Sequence, residues 1–167
     1  MFMGHLGIAL GSKGARKNIS LLLLCLVAVG PDLIDFTLEG AGRAQGGGLW
    51  THSIAAMLCY GFGLFVIYSL ATRDYKSALL VGGVAASHVL VDLITSHMVL
   101  WRGGSPHGLH LYMHRWTDLV LESLVVLAGW TWYIQTLPEK RRISLGSIAI
   151  LLVLLAMQGF MATMNIS

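Results

Sequence analysis

Long apolar runs alternate with short polar intervals along the chain, and the runs are of bilayer length. Residues 53–72 carry no Lys, Arg, Asp or Glu; 77–100 hold one acid, Asp92, with His88 and His97; 119–137 hold only Glu122; 143–167 have no ionisable side chain. Each is close to the ~20 residues a helix needs to cross a ~30 Å hydrocarbon core. Residues 18–38 are a fifth candidate, interrupted by Gly30-Pro31, after which Asp32 and Asp35 follow. Proline removes a backbone donor, so this helix is expected to end or kink there. The first twelve residues, MFMGHLGIALGS, reach only ~18 Å and are too short to span. They read as a half-helix or an interfacial segment, in which Gly7 and Gly11 form a GxxxG pair suited to close helix packing.

The pattern predicts an all-α, polytopic membrane bundle of four to five transmembrane helices plus a short N-terminal half-helix. It is expected to form a single integral membrane domain over 1–167, with the motif-bearing part in 1–100 and C-terminal helices in 118–167. The connections are 39–50, rich in glycine (GAGRAQGGG), then 73–76, 101–117 and 138–142.

Composition sharpens the membrane reading. The 167 residues are 56% apolar and 11% charged, whereas soluble domains run to about 45–50% apolar and about 25% charged. So few charges would not cover a water-exposed surface. The net charge of +3 is scattered and builds no basic face, which excludes nucleic acid as a partner. Cys25 and Cys59 sit in apolar runs without a CxxC, as small packed residues do. The N-terminus imitates a signal peptide: Lys13, Arg16 and Lys17 precede the run and Ala28-Val29-Gly30 offers small residues. Pro31 would follow the cut, so the segment is read as an uncleaved membrane helix.

Lys and Arg flank the runs and indicate orientation. With five spans and the N-terminus inside, Lys13, Arg16, Lys17, Arg73, Lys76, Lys140, Arg141 and Arg142 are cytoplasmic and Arg43, Arg102 and Arg115 are not, eight against three. If the first run does not cross, the count becomes five against six.

Ionisable residues inside membrane helices are costly and mark function. His88 and Asp92 are four apart and share a helix face with Thr95; the plainer alternative is a His–Asp hydrogen bond that glues helices. Asp32 and Asp35, three apart at a helix end, can point at one cation or can cap the next element. His52, in Thr51-His52-Ser53, opens the following run, where a histidine is also common as an interfacial side chain. Consecutive spans run antiparallel, so all of these groups fall in one half of the bilayer. Three carboxylates and two imidazoles form a borderline-metal ligand set, suited to a divalent ion: zinc first, manganese or iron next. Asp32, His52, His88 and Asp92 are the expected core ligands. Asp35 is expected as a bridging ligand or general base, and Thr95 joins it as a candidate catalytic residue.

His97 is nine residues from His88, on the opposite face of an ideal helix, and is left out of the ligand set. His107, His110 and His114 share a face if their segment is helical. That segment reads as an amphipathic interfacial helix with Leu109, Tyr112 and Trp116 toward lipid; the alternative is a second metal site on the three histidines. Asp118 and Glu122 form another i,i+4 acid pair, suited to supporting ligand histidines or to an interfacial position.

The order Gly4-His5, Pro31-Asp32 with Asp35, Thr51-His52-Ser53, and Ser87-His88 with Asp92 and Thr95 resembles the membrane-bound metal-dependent hydrolase family of bacterial inner membranes, the YdjM-like group associated in name with LexA. The resemblance covers the first ~100 residues, a multi-span segment by the length rule. It implies a multi-span helical hydrolase with His5, Asp32, Asp35, His52, His88 and Asp92 as metal ligands. The chain departs from the family pattern where Phe36 replaces a histidine, and where Ser96-His97 follows Thr95.

The expected function is therefore a membrane-embedded metal-dependent hydrolase. Its substrate would be a phosphoester or lipid-related molecule, with membrane lipid as its surroundings. Its place would be a bacterial-type inner (plasma) membrane with the site on the extracytoplasmic side. The alternative is an ion- or proton-coupled transporter using the same His and Asp residues.

Overall fold

The computed structural model describes residues 2–40 and 49–164. Most of the glycine-rich connection, Arg43 included, lies outside the described residues. The helices follow the apolar runs: α1 (Phe2–Ala15), α2 (Leu21–Gly40), α3 (Ile54–Thr72), α4 (Tyr75–Thr95), α5 (Arg115–Ile134), α6 (Glu139–Arg142) and α7 (Leu145–Met164). A minimal hairpin, β1 (Met98–Val99) and β2 (Pro106–His107), and a 3-10 turn at Leu111–Met113 sit between α4 and α5.

Four segments are long and apolar enough to cross a bilayer: Leu21–Leu38, Ile54–Thr72, Tyr75–Thr95 and Glu139–Thr163. Leu22, Phe62, Leu70, Leu79 and Leu152 are each more than half exposed on them, a surface that hydrocarbon rather than water tolerates. The protein is an all-α membrane protein. The interrupted run at Pro31 is among the four; α5, which carries Asp118 and Glu122, is not.

Contacts group the chain into two compact units, Met1–Cys25 with Leu111–Ser167, and Leu26–His110. In the first, α1 packs along α5 with glycines at the contact. A Cβ on Gly7 would lie 2.8 Å from the Val125 carbonyl oxygen, and one on Gly129 would overlap the Gly7 carbonyl. The GxxxG expectation for α1 is met in this close approach. Glu122, 2% exposed, accepts the Gly4 amide at 3.0 Å. A buried carboxylate so placed satisfies one of the free N–H groups of the first turn of α1, at its positive end. On α7, the Ser147 carbonyl accepts the Trp130 indole N–H at 2.7 Å.

In the second unit, α2 does not end at Pro31 as expected but runs through it to Gly40. Pro31 has no N–H for the Val27 carbonyl, and the Tyr60 hydroxyl of α3 donates to that oxygen at 3.4 Å. A neighbouring helix thus replaces the missing bond, the usual condition for proline within a membrane helix. Ser53 caps α3 by accepting from the Ala56 amide, and Asp74 caps α4 by accepting from the Ser77 amide.

α4 ends at Thr95, five residues earlier than its apolar run suggests. Ser96 leaves the helix with extended backbone, and its hydroxyl donates to the Asp92 carbonyl at 2.7 Å. The chain then returns through the hairpin. Gly108, at φ +129, approaches so closely that a Cβ would overlap the Ser96 carbonyl. The Leu109 and His110 amides donate to Leu93 and Ser96, at 2.9 and 3.4 Å, satisfying carbonyls at the open end of α4. The expected interfacial helix here is thereby corrected: His107 lies in β2, and His110 has φ +55, outside helical backbone.

Candidate metal centre

Each of the four converging side chains sits where a helix begins, ends or passes another. Asp32 follows Pro31 in α2, His52 precedes the cap of α3, and His88 and Asp92 lie on one face of α4. One ligand atom from each comes within 4.8 Å of every other. His52 Nε2 is 3.3 Å from Asp32 Oδ1, 3.4 Å from Asp92 Oδ2 and 3.0 Å from His88 Nε2. His88 Nε2 is 3.3 Å from both Asp32 Oδ1 and Asp92 Oδ2. These spacings match the edges of a coordination polyhedron. A tetrahedral ion with bonds of ~2.0–2.1 Å sets its ligands ~3.3–3.4 Å apart; octahedral neighbours at similar bond lengths stand ~3.0 Å apart.

The outer nitrogens fix which atoms face the centre. His88 Nδ1 lies 2.7 Å from the Ala28 carbonyl oxygen. A carbonyl only accepts, so Nδ1 carries the proton and Nε2 presents its lone pair to the cluster. His52 Nδ1 lies 3.0 Å from Asp35 Oδ2 and 2.8 Å from the Thr51 hydroxyl oxygen. Asp35 accepts that proton, and His52 Nε2 also turns inward. A buried polar partner on the outer nitrogen is the standard support of a histidine that ligates metal.

The Nε2 atoms of two imidazoles and two carboxylate oxygens therefore point at one volume. Such an arrangement demands a positive charge. Burial alone would lower the His52 pKa. Hydrogen bonds to Asp32 and Asp92 and the negative charges of Asp92 and Asp35 outweigh burial and push it up to about 10, so a proton is strongly held where no other cation is. Exposure is uneven: the His88 side chain is 0% exposed and that of Asp92 7%, against 29% for Asp32 and 25% for Asp35.

The expected core ligands Asp32, His52, His88 and Asp92 are thus brought together. Asp35 reaches the outer nitrogen of His52 rather than the converging set. Thr95 lies fully buried one turn beyond Asp92, its hydroxyl without a hydrogen bond among the described residues. His5, implied by the resemblance, is 1% exposed on α1 and belongs to the other unit. The supporting atoms Ala28 O, Tyr60 Oη and Thr51 Oγ1 escaped the sequence reading. Pro31 was the available signal, because it leaves the carbonyl four residues before it without its helical donor.

His97 lies beyond the end of α4, where helical phase no longer governs it. Its ring faces His110 at 5.0 Å between centroids, and His107 faces Trp101 at the same distance. Neither pair belongs to the converging set. His97→Ala, His107→Ala and His110→Ala should each keep near wild-type metal content by elemental analysis. Metal loss in any one would place the hairpin in the centre.

No family model, curated protein or solved structure matches the chain. Fold and site define its class: a helical membrane protein with a buried His/Asp cluster able to hold a metal ion.

Proposed function

We propose that the protein is a membrane-embedded metal-dependent hydrolase acting on a phosphoester or another lipid-related substrate. The observation that carries this reading is the convergence of two imidazole nitrogens and two carboxylate oxygens at metal-ligand spacing, with Asp32 the most exposed of the four. The family resemblance of the GH, PD, THS and SH-D motifs supports hydrolysis, and zinc is the ion the ligand set favours, with manganese and iron next. A divalent ion held by these residues would supply Lewis acidity, lowering the pKa of water and polarising the bond to be cut.

The residues of this chain supply the rest. Asp32, His52, His88 and Asp92 hold the ion, and Asp35 and the Ala28 carbonyl orient the two imidazoles. Asp35, 25% exposed, can also take a proton from the attacking water. The reaction balances as water adding its oxygen to phosphorus or acyl carbon while the alcohol leaves with a proton. Purified protein should contain at least one divalent transition metal per chain. It should release phosphate or alcohol from phospholipid and lysolipid panels, and that activity should stop with chelator and return with metal. Ion flux in liposomes without hydrolysis would instead establish the transporter reading.

The same reading places the protein in a bacterial-type inner membrane with the centre on the extracytoplasmic side. Lys13, Arg16, Lys17, Arg73 and Lys76 border the ends of α2, α3 and α4 remote from the centre, and Lys140, Arg141 and Arg142 join them where α5 also crosses. A cysteine at exposed Ser105, in the hairpin, reports the side. In a background with Cys25 and Cys59 replaced by Ala, Ser105→Cys should react with a membrane-impermeant maleimide in intact cells. Reaction only after lysis reverses the orientation. Gly108 is a poor position for the label, because its φ of +129 and its contact with Ser96 leave no room for a side chain.

A further inference from the structure

Beside the cluster, within the same unit, lies a cavity of about 320 Å³ lined by Pro31, Ile34, Trp50, Thr51, Ala56, Cys59 and Tyr60. Its size is at the lower end of the ligand-pocket range, about 300–1,000 Å³. Pro31 and Thr51 directly precede Asp32 and His52, and the Thr51 hydroxyl touches His52 Nδ1. Two lining residues are thus chain neighbours of the cluster residues Asp32 and His52, and the rest of the wall is mostly apolar. Ala56, Cys59 and Tyr60 recur at helical spacing on α3, and Pro31 and Ile34 on α2, both membrane-spanning. The apolar part of the wall thus borders hydrocarbon. Trp50, 76% exposed just ahead of α3, is the kind of aromatic side chain that settles at the headgroup level. Trp50 lines the cavity where α3 begins, so the cavity runs from that end along α3 toward the hydrocarbon.

We propose that this cavity holds the hydrocarbon chain of a membrane-derived amphiphile whose anionic head, a phosphate or carboxylate, meets the metal centre on its Asp32 side. The inference rests on the metal reading above and adds to it the shape of the substrate: one chain and one oxygen-rich head, entering from the bilayer. The cluster's exposure fits this, since Asp32 is the ligand most open to the outside and directly adjoins Pro31 in the cavity wall. Tyr60 ties α3 to the carbonyl freed by Pro31 and so holds that wall in place. The small side chain of Ala56 keeps the space open.

Cys59 makes the cavity chemically readable. In Cys25→Ala protein in nanodiscs, loaded with zinc and checked for metal by elemental analysis, Cys59 is alkylated with N-ethylmaleimide and its rate measured. Dodecyl phosphate should slow the reaction at least fivefold, butyl phosphate should not, and stripping the metal should remove the protection. Ala56→Trp, which fills the cavity, should keep its metal and lose the dodecyl phosphate effect. Absence of protection in metal-loaded protein overturns the proposal, as does equal protection with and without metal, or full protection in Ala56→Trp. Failure to load metal at all is the separate result that removes the metal reading itself.

Discussion

His88→Ala and Asp92→Ala should each bind metal at least tenfold more weakly than the wild-type protein. Loss of a ligand or of its supporting partner typically costs 10–100-fold in metal affinity, and here each residue supplies one of only four converging atoms. His88 is the more severe case. Its Nε2 stands 3.0–3.3 Å from the other three ligand atoms, so its removal opens the centre of the set. It also leaves the Ala28 carbonyl without its imidazole donor in a fully buried position. Asp92→Asn keeps the shape of the side chain while removing its charge, so it disturbs packing less and should lose metal as Asp92→Ala does. Circular dichroism separates lost ligation from lost folding, and metal per chain, by elemental analysis at several free-metal concentrations, gives the affinity. Undiminished metal in both His88→Ala and Asp92→Ala would remove the centre.

Much of this was legible from the chain because bilayer physics is unforgiving. Apolar runs of fixed length have few other uses, and acids or histidines inside them are too costly to be incidental. His88 and Asp92 declared themselves by i,i+4 spacing. Asp32 and His52 followed from the antiparallel alternation of spans, which returns the end of one helix and the start of the next to one depth. Gly7 and Gly11 likewise announced a close helix contact that α1 makes with α5.

The rest depended on partners far away in the sequence. Pro31 is a reason to end a helix in isolation; the Tyr60 hydroxyl, from another helix, is why α2 continues. The stretch after Thr95 remains apolar, so periodicity carried the helix to Leu100. What stops it is the returning chain, which Gly108 alone lets close against Ser96, together with the Ser96 side chain. The same return explains why loop histidines spaced for a helix face do not form one. The run of α5 looked clean by length, yet its acids are buried, and one of them accepts the amide of Gly4.

Asp35 is the residue whose role the sequence left most open, and its variants separate the choices. Its carboxylate lies 3.0 Å from the outer nitrogen of His52, so its expected effect passes through that imidazole: it fixes the tautomer and makes Nε2 a better donor to metal. Asp35→Ala should therefore weaken metal binding by about 10–100-fold, as removing such a partner does elsewhere. Asp35→Asn should recover part of that loss, because an amide oxygen still accepts the Nδ1 proton, though without the charge. A direct ligand behaves differently, since a neutral amide is a poor replacement for a ligating carboxylate; Asn and Ala would then be equally damaging, as Asp32→Asn and Asp32→Ala are expected to be. A pure general base behaves differently again, losing turnover at unchanged metal affinity in both variants. Metal titration of the four variants, read beside hydrolysis at saturating metal, assigns Asp35 to one of the three roles, and only a partial rescue by Asn agrees with the geometry at His52.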